Sequence, residues 1–245
     1  MGLSGRAIGA VWTPRGGGSR VPWNEECGLT DSPAEFTVVP AQRGDLDSAV
    51  EALGAAFAAD PLISFLFAPA QVRRDECALE FFRLLLGARL ECSMPALIAR
   101  DGRRIVGAVM GYDTSRPDWP APLRERWERL MTGVPALVER LGRYEGLAGA
   151  YMPPDPHYYL GVLGVAPGEQ GRGIGSTLLA SFCALSAADP RSAGVYLETA
   201  NPANLPLYRR GGFAVTGEGT LGTATLWCMY HAHEGRPRGV CCPGS

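Results

Sequence analysis

Residues 161–189 read GVLGVAPGEQGRGIGSTLLASFCALSAAD, and how they are parsed decides the fold. An apolar run ends at Pro167, a glycine-rich turn follows, and Ile174, Leu178, Leu179, Phe182 and Leu185 then recur at helical spacing. That is strand, turn, helix. Glycines let a backbone approach an anion closely, and the amides of 171–176 open a helix whose dipole is positive at that end. The turn is therefore suited to a phosphate ligand.

Two phosphate motifs fit it poorly. A P-loop requires G-x-x-x-x-G-K-[ST], with the lysine on the β/γ-phosphates. Gly168 and Gly173 have the glycine spacing, but Ile174 stands at the lysine position, and all 23 basic residues of the chain are arginine. That excludes an ordinary nucleoside triphosphatase and any lysine Schiff base. A dinucleotide fingerprint requires G-x-G-x-x-G near the start of the fold, with an acidic residue ending the next strand. Here Gly171-x-Gly173-x-x runs into Ser176, and Glu198 is the one feature in its favour.

Outward from the turn, the chain reads as alternating strands and helices. EFTVVPAQ (35–42) is a short strand. Asp45 then caps a helix carrying Leu46, Val50, Leu53, Ala56 and Phe57, which stops near Asp60-Pro61. The aromatic-rich segment 61–67 has no assigned element. A second helix fits 72–92, with Leu79, Phe82, Leu85, Leu86 and Leu90 on one face. Residues 95–114 read as a hairpin about Asp101-Gly102. Residues 122–150 are helical in two pieces broken near Gly133 and Pro135. Strands at 157–167 and 194–200 flank the helix after the glycine turn, a short helix covers 204–212, and 213–231 closes as a hairpin. Nothing repeats. The order describes one α/β (α+β) domain with a mixed sheet rather than a doubly wound one.

Composition bounds the partners. The chain has 245 residues, 46% hydrophobic and 20% charged, with net charge −2 and no basic stripe, so nucleic acid is not an expected partner. No apolar stretch is long enough to span a membrane, and the N-terminal apolar patch is too short for a signal-peptide core. The expected location is cytoplasmic. Cys27, Cys77, Cys92, Cys183, Cys228, Cys241 and Cys242 include no C-x-x-C pair, so neither a disulfide framework nor a zinc ribbon is expected. His231, His233, Cys241 and Cys242 lie close together, but in a Gly/Pro-rich tail with odd spacing; no metal site is expected. Residues 1–34 read as a disordered extension or the product of a misplaced start codon, 35–232 as the folded domain and 233–245 as a flexible tail.

VAPGEQGRGIG resembles the pyrophosphate-binding signature [QR]-x-x-G-x-[GA] of the GCN5-related N-acetyltransferases, the GNAT superfamily, at Gln170, Gly173 and Gly175. LETANPANLPLYRRGGF, downstream, resembles that family's strand, Asn-containing turn and Tyr-bearing helix. Within the superfamily the chain looks most like the puromycin N-acetyltransferase type, through NLPLYRRGGFAVT, TLWCM and AVEALGAAFAADP. The resemblance follows element order over about 36–231, with its specific motifs in 157–213. It implies a single domain whose central, mostly antiparallel sheet splays at an acetyl-CoA site, with acetyl-CoA as co-substrate.

It also assigns the residues. The backbone of Leu163, Gly164 and Val165 would pair with the pantetheine arm like an added strand, and an amide there would stabilise the thioester oxyanion. Gly161 and Gly164 within this apolar strand fit a bulge or a close backbone approach. Gln170, Gly171, Arg172, Gly173, Ile174, Gly175 and Ser176 would surround the diphosphate; the side chain of Ile174 belongs to the core, and that of Arg172 is either an added charge or solvated. Asn204 would contact CoA or fix the turn. Tyr208 corresponds to the tyrosine that donates a proton to the departing thiolate, whose thiol has an ordinary pKa of about 8.5.

For the base, strand alternation places Tyr196, Glu198 and Ala200 on one face, and a carboxylate there is costly unless it is paired or faces a cleft. Glu198 is the candidate, as general base directly or through water; a structural glutamate, or a reaction needing no base, is the alternative. His157, at the start of the preceding strand, is expected to cap or lie at the surface. The acceptor pocket is expected from 60–69, the helices of 122–150, and Tyr151, Tyr158 and Tyr159. The expected partner is a small-molecule amine, and the resemblance is compatible with a homodimer. The alternatives are transfer to a peptide or protein N-terminus, and a non-catalytic acyl-CoA sensor.

Overall fold

The computed structural model describes residues 36–68 and 73–234. The expected N-terminal extension, most of the expected tail, and Cys27, Cys241 and Cys242 lie outside the described residues. The strands are β1 (Thr37–Pro40), β2 (Ala96–Asp101), β3 (Arg104–Tyr112), β4 (Tyr158–Val165), β5 (Gly194–Thr199), β6 (Ala214–Leu221) and β7 (Ala224–Ala232). The helices are α1 (Leu46–Ala56), α2 (Pro61–Leu66), α3 (Arg74–Glu91), α4 (Ala121–Gly133), α5 (Leu137–Ala150), α6 (Ile174–Ala188) and α7 (Leu205–Arg210). All seven strands form one open sheet in the order β1-β2-β3-β4-β5-β7-β6. Every neighbouring pair is antiparallel except β4 and β5, which run parallel across the α6 crossover.

Strand alternation feeds two cores. On one face Ile98, Ala108, Met110, Tyr112, Tyr159, Val162, Tyr196 and Cys228 pack against α1 to α5. On the other, Leu97, Val106, Val109, Leu160, Val165, Val195, Leu197 and Met229 meet Leu178, Leu179 and Phe182 of α6 and Tyr208 of α7.

Two local assignments change. The segment 61–67 contains the helix α2: Pro61 occupies its first turn, where a missing N–H costs nothing, and Asp60 caps it by accepting from the amides of Leu62 (2.9 Å) and Ile63 (3.1 Å). Six residues are too few for periodicity to show. Asp45, expected to cap α1, acts one turn earlier. Its carboxylate accepts the Gln42 amide at 2.9 Å, closing a short 3-10 turn (Arg43–Asp45) that leads into α1, and it pairs with Arg100.

One irregularity shapes the sheet. Met110 pairs with Val162 but Gly111 pairs with Leu160, so Gly161 is an extra residue in β4. At the same point β4 stops pairing with β5: the parallel register runs Tyr158–Val195, Tyr159–Tyr196, Leu160–Leu197 and ends. Gly111, opposite, leaves no space for a side chain, because a Cβ there would lie 1.9 Å from Tyr159 O and 2.6 Å from Phe182 Cζ. Gly111→Ala is expected to destabilise the protein by about 3 kcal/mol, read as a drop in the urea midpoint; an unchanged midpoint would mean the bulge can move aside.

Candidate active site

The C-terminal half of β4, residues 161–165, has β3 on one side and no strand pairing on the other. Leu163 and Gly164 thus lie along an edge with no strand partner, which ends at Val165. Gly164 is closely packed: a Cβ would fall 2.9 Å from Leu53 of α1 and 2.9 Å from Phe57, just after it. The strand leads through Ala166 into a 3-10 turn at Pro167–Glu169 and then into the glycines.

Gly171 (φ +82°) and Gly173 (φ +83°) adopt the left-handed conformation that favours glycine, and a Cβ at either would meet nothing within 4 Å, so the turn is open outward. Gly173 is the N-cap of α6. The first bond of the helix comes from the Thr177 amide to Gly173 O (3.0 Å), so the amides of Ile174, Gly175 and Ser176 have no acceptor within it. A cradle of amides with no side chains over it suits a diphosphate. The Ile174 side chain is buried in the α6 core, so only its backbone belongs to the turn.

The two polar side chains of the turn brace it. Gln170 Nε2 donates to Val165 O at 3.1 Å, tying the turn back to the end of β4. Arg172 pairs with Asp101 (2.9 Å) and with Glu169, and Glu169 also pairs with Arg104 (2.8 Å). Arg172 is partly exposed, and two carboxylates hold it against the β2–β3 hairpin.

Glu198, on β5 one residue past the last β4–β5 pair, points to the face of α5. Its Oε2 accepts from Tyr159 Oη (2.9 Å) and Tyr144 Oη (3.1 Å), and the two hydroxyls are 3.0 Å apart. Its Oε1 is shut off from water and has no partner. Glu198, Tyr144, Tyr159, Glu145, Ala148, Gly149 and Met152 line a cavity of about 10 Å³, the scale of one water molecule. Burial pushes the Glu198 carboxyl up to about 7, against the opposing hydrogen bonds of Tyr159 and Tyr144. Burial, reinforced by the Glu198 charge, holds both phenols well above their usual range, so they stay donors.

Tyr208, in α7, is buried and packs edge-on to Phe213 with centroids 6.0 Å apart. Burial first, then the charges of Asp60 and Glu198, raises its phenol, which keeps its proton throughout the physiological range. Asn201, which the sequence left unassigned, caps the turn before α7 by accepting the Ala203 amide at 3.0 Å; Asn204 Nδ2 lies 3.5 Å from Thr199 Oγ1.

The expected acceptor residues separate. Tyr159 reaches Glu198, but Tyr158, one residue earlier, faces the opposite core, on Phe182 and 3.5 Å from Asp189. Tyr151 is exposed, its hydroxyl on Glu218 O at 3.3 Å. His157 is buried rather than at the surface. Its Nδ1 lies 2.7 Å from Asp155 O, its Nε2 has no partner, and burial lowers its pKa to about 4, so it is neutral. Tyr144 came from a helix assigned only in outline to the pocket; its signal was an aromatic on the buried stripe Leu137, Leu141, Tyr144, Ala148. Among the described residues no cluster of three or more His, Cys, Asp or Glu can hold a metal, and no helix is long and apolar enough to cross a membrane.

Residues 110–213 match the acetyltransferase (GNAT) family. This span runs from β3 through the parted strands, the glycine turn and α7. Solved structures share the fold. One is a histone acetyltransferase HPA2 and related acetyltransferase from Corynebacterium glutamicum, 23% identical, covering 82% of this chain and 98% of that one at a TM-score of 0.60. Another is YncA from Salmonella typhimurium, solved with its cofactor acetyl-CoA: 17% identity, 84% and 99% coverage, TM-score 0.51. A third is a ribosomal-protein-alanine N-acetyltransferase from Brucella melitensis: 20% identity, 80% and 99% coverage, TM-score 0.51. The family match covers residues 110–213, and the likeness to these structures is one of fold.

The raised Glu198 carboxyl makes stability pH-dependent. The folded form holds a proton that the unfolded form, near 4.5, has lost, so stability is full below about pH 4.5 and falls as pH rises through about 7. Glu198→Gln should remove this fall, on the order of 2 kcal/mol, in urea titrations at pH 5 and pH 8. Parallel losses in both proteins would place the titration elsewhere.

Proposed function

We propose that this protein is an acetyl-CoA-dependent N-acetyltransferase that acts on the primary amine of a small, metabolite- or antibiotic-like molecule in the cytoplasm, by direct attack in a ternary complex. One observation carries the reading. A carboxyl raised to about 7 stands one residue past the last β4–β5 pair, near an open strand edge and an outward-facing amide turn, and Tyr208, whose raised phenol keeps its proton, feels the Glu198 charge.

The chain's own groups fit acetyl-CoA. The amides of 171–176 would hold the diphosphate, and the edge of Leu163, Gly164 and Val165 would take the pantetheine arm as an added strand. When bound, acetyl-CoA supplies the activated acetyl group. An amine must be neutral to attack, and Glu198 Oε1, unpartnered and near neutral in pKa, receives the proton it gives up. Tyr208 Oη donates to the departing sulfur, and solvent restores that proton. Net, one N–H proton leaves the amine and one S–H forms.

Purified protein incubated with acetyl-CoA and a panel of small amines and peptides should release free thiol with at least one small amine. Release with peptides alone would move the acceptor to a polypeptide N-terminus, and CoA binding with no release would leave a sensor. Tyr208→Phe should lower kcat about tenfold or more with the acetyl-CoA KM within about twofold. An unchanged kcat would remove Tyr208 from proton transfer.

A further inference from the structure

Resting on the transferase reading above, we propose that the acceptor carries a carboxylate close to its amine, and that Arg89 and Arg116 bind that carboxylate. Arg89, on α3, is 1% exposed. Its Nη1 makes one long hydrogen bond to Leu85 O (3.3 Å), and its Nε has no partner. Its guanidinium lies 4.1 Å from the Tyr112 ring and 5.9 Å from that of Trp119. Arg116 stacks near the same Tyr112 ring at 5.2 Å and near Tyr159 at 5.9 Å, and its Nη1 meets only the backbone carbonyls of Asp113 and Ser115. Two like charges thus share one aromatic ring. The nearby Asp113 carboxylate does not pair with either: its Oδ1 accepts from the amide and hydroxyl of Ser115 at 2.6 Å.

This reverses the pattern elsewhere in the molecule. The exposed Arg43, Arg73, Arg104 and Arg191 each have a carboxylate partner, whereas among the described residues the fully buried Arg89 has none. A buried charge without a partner is costly, and aromatic faces offset only part of that cost. A guanidinium fork with free donors is the protein group best matched to a carboxylate.

The position identifies the ligand. Arg89 Nη2 lies 3.8 Å from where a Cβ of Gly161 would stand, at the residue where β4 parts from β5. Tyr159 spans the site, its hydroxyl on Glu198 and its ring toward Arg116. A proton-accepting carboxylate and a cationic pair therefore lie about one tyrosine, the complement of a small molecule with an amine and a carboxylate a few bonds apart. An amino acid or short amino-carboxylate has that form.

The test uses matched amino acids and their carboxamides, which keep the amine and remove the negative charge. Thiol release is measured with each, and binding to the protein with CoA present is measured by calorimetry. At least one acid should exceed its amide about tenfold in kcat/KM, and this ratio should collapse toward one in Arg89→Met. Arg116→Gln, at the partly exposed partner, should shrink the ratio in the same direction and serves if Arg89→Met does not fold. Equal rates for acids and amides, or equal losses on both in the variants, would overturn the proposal while leaving the transferase reading in place. Arginine-dependent binding of the acids without thiol release from any amine would do the opposite.

Discussion

The parting of β4 from β5 after the Leu160–Leu197 pair is the constraint on which the rest depends. Parallel strands joined through α6 share only three registered pairs, and the extra Gly161 turns the end of β4 away. A sheet interior would otherwise satisfy every backbone group. Here a row of amides and carbonyls is released in the middle of a sheet, with Glu198 on the far bank of the gap and the glycine turn at its end. The wedge is held open from both sides: Gly164 admits α1 to one face, and α6 fills the other.

Electrostatics divides labour around that gap. The turn carries its charge in backbone dipoles, while its side chains serve as braces, Gln170 to Val165 O and Arg172 to Asp101 and Glu169. Fixed dipoles need no reorganisation when an anion arrives. On the α5 side, Glu198, Tyr144 and Tyr159 hold three oxygens within hydrogen-bonding distance of one another. Two phenolic protons serve three edges, and one carboxylate oxygen is left over.

Much of this was legible in the sequence because the glycine turn imposes its geometry locally. Left-handed glycines, a buried helix stripe and strand alternation at Glu198 all follow from short-range rules. The acid's neighbours do not. Tyr144 and Glu198 are 54 residues apart, and only tertiary packing of α5 brings them together. Tyr158 and Tyr159 look alike in the sequence, yet a pleated strand sends them to opposite cores. Arg89 sits among leucines on a helix read in the sequence only for its apolar face, and its burial without a carboxylate partner depends on tertiary packing. The ion pairs of Arg172 to Asp101 and of Asp45 to Arg100 were not legible, because they depend on strand register.

The strand order has a temporal consequence. β7, the last described strand, is inserted between β5 and β6, so β5 has antiparallel support along Gly194–Thr199 only from residues 227–232. Until those residues leave the ribosome, the strand bearing Glu198 has just three parallel pairs to hold it. The glycine turn and α6 can form early from contiguous chain, whereas the position of Glu198 cannot. Synthesis therefore completes the amide turn first and fixes the buried carboxyl last, once β7 has paired with β5.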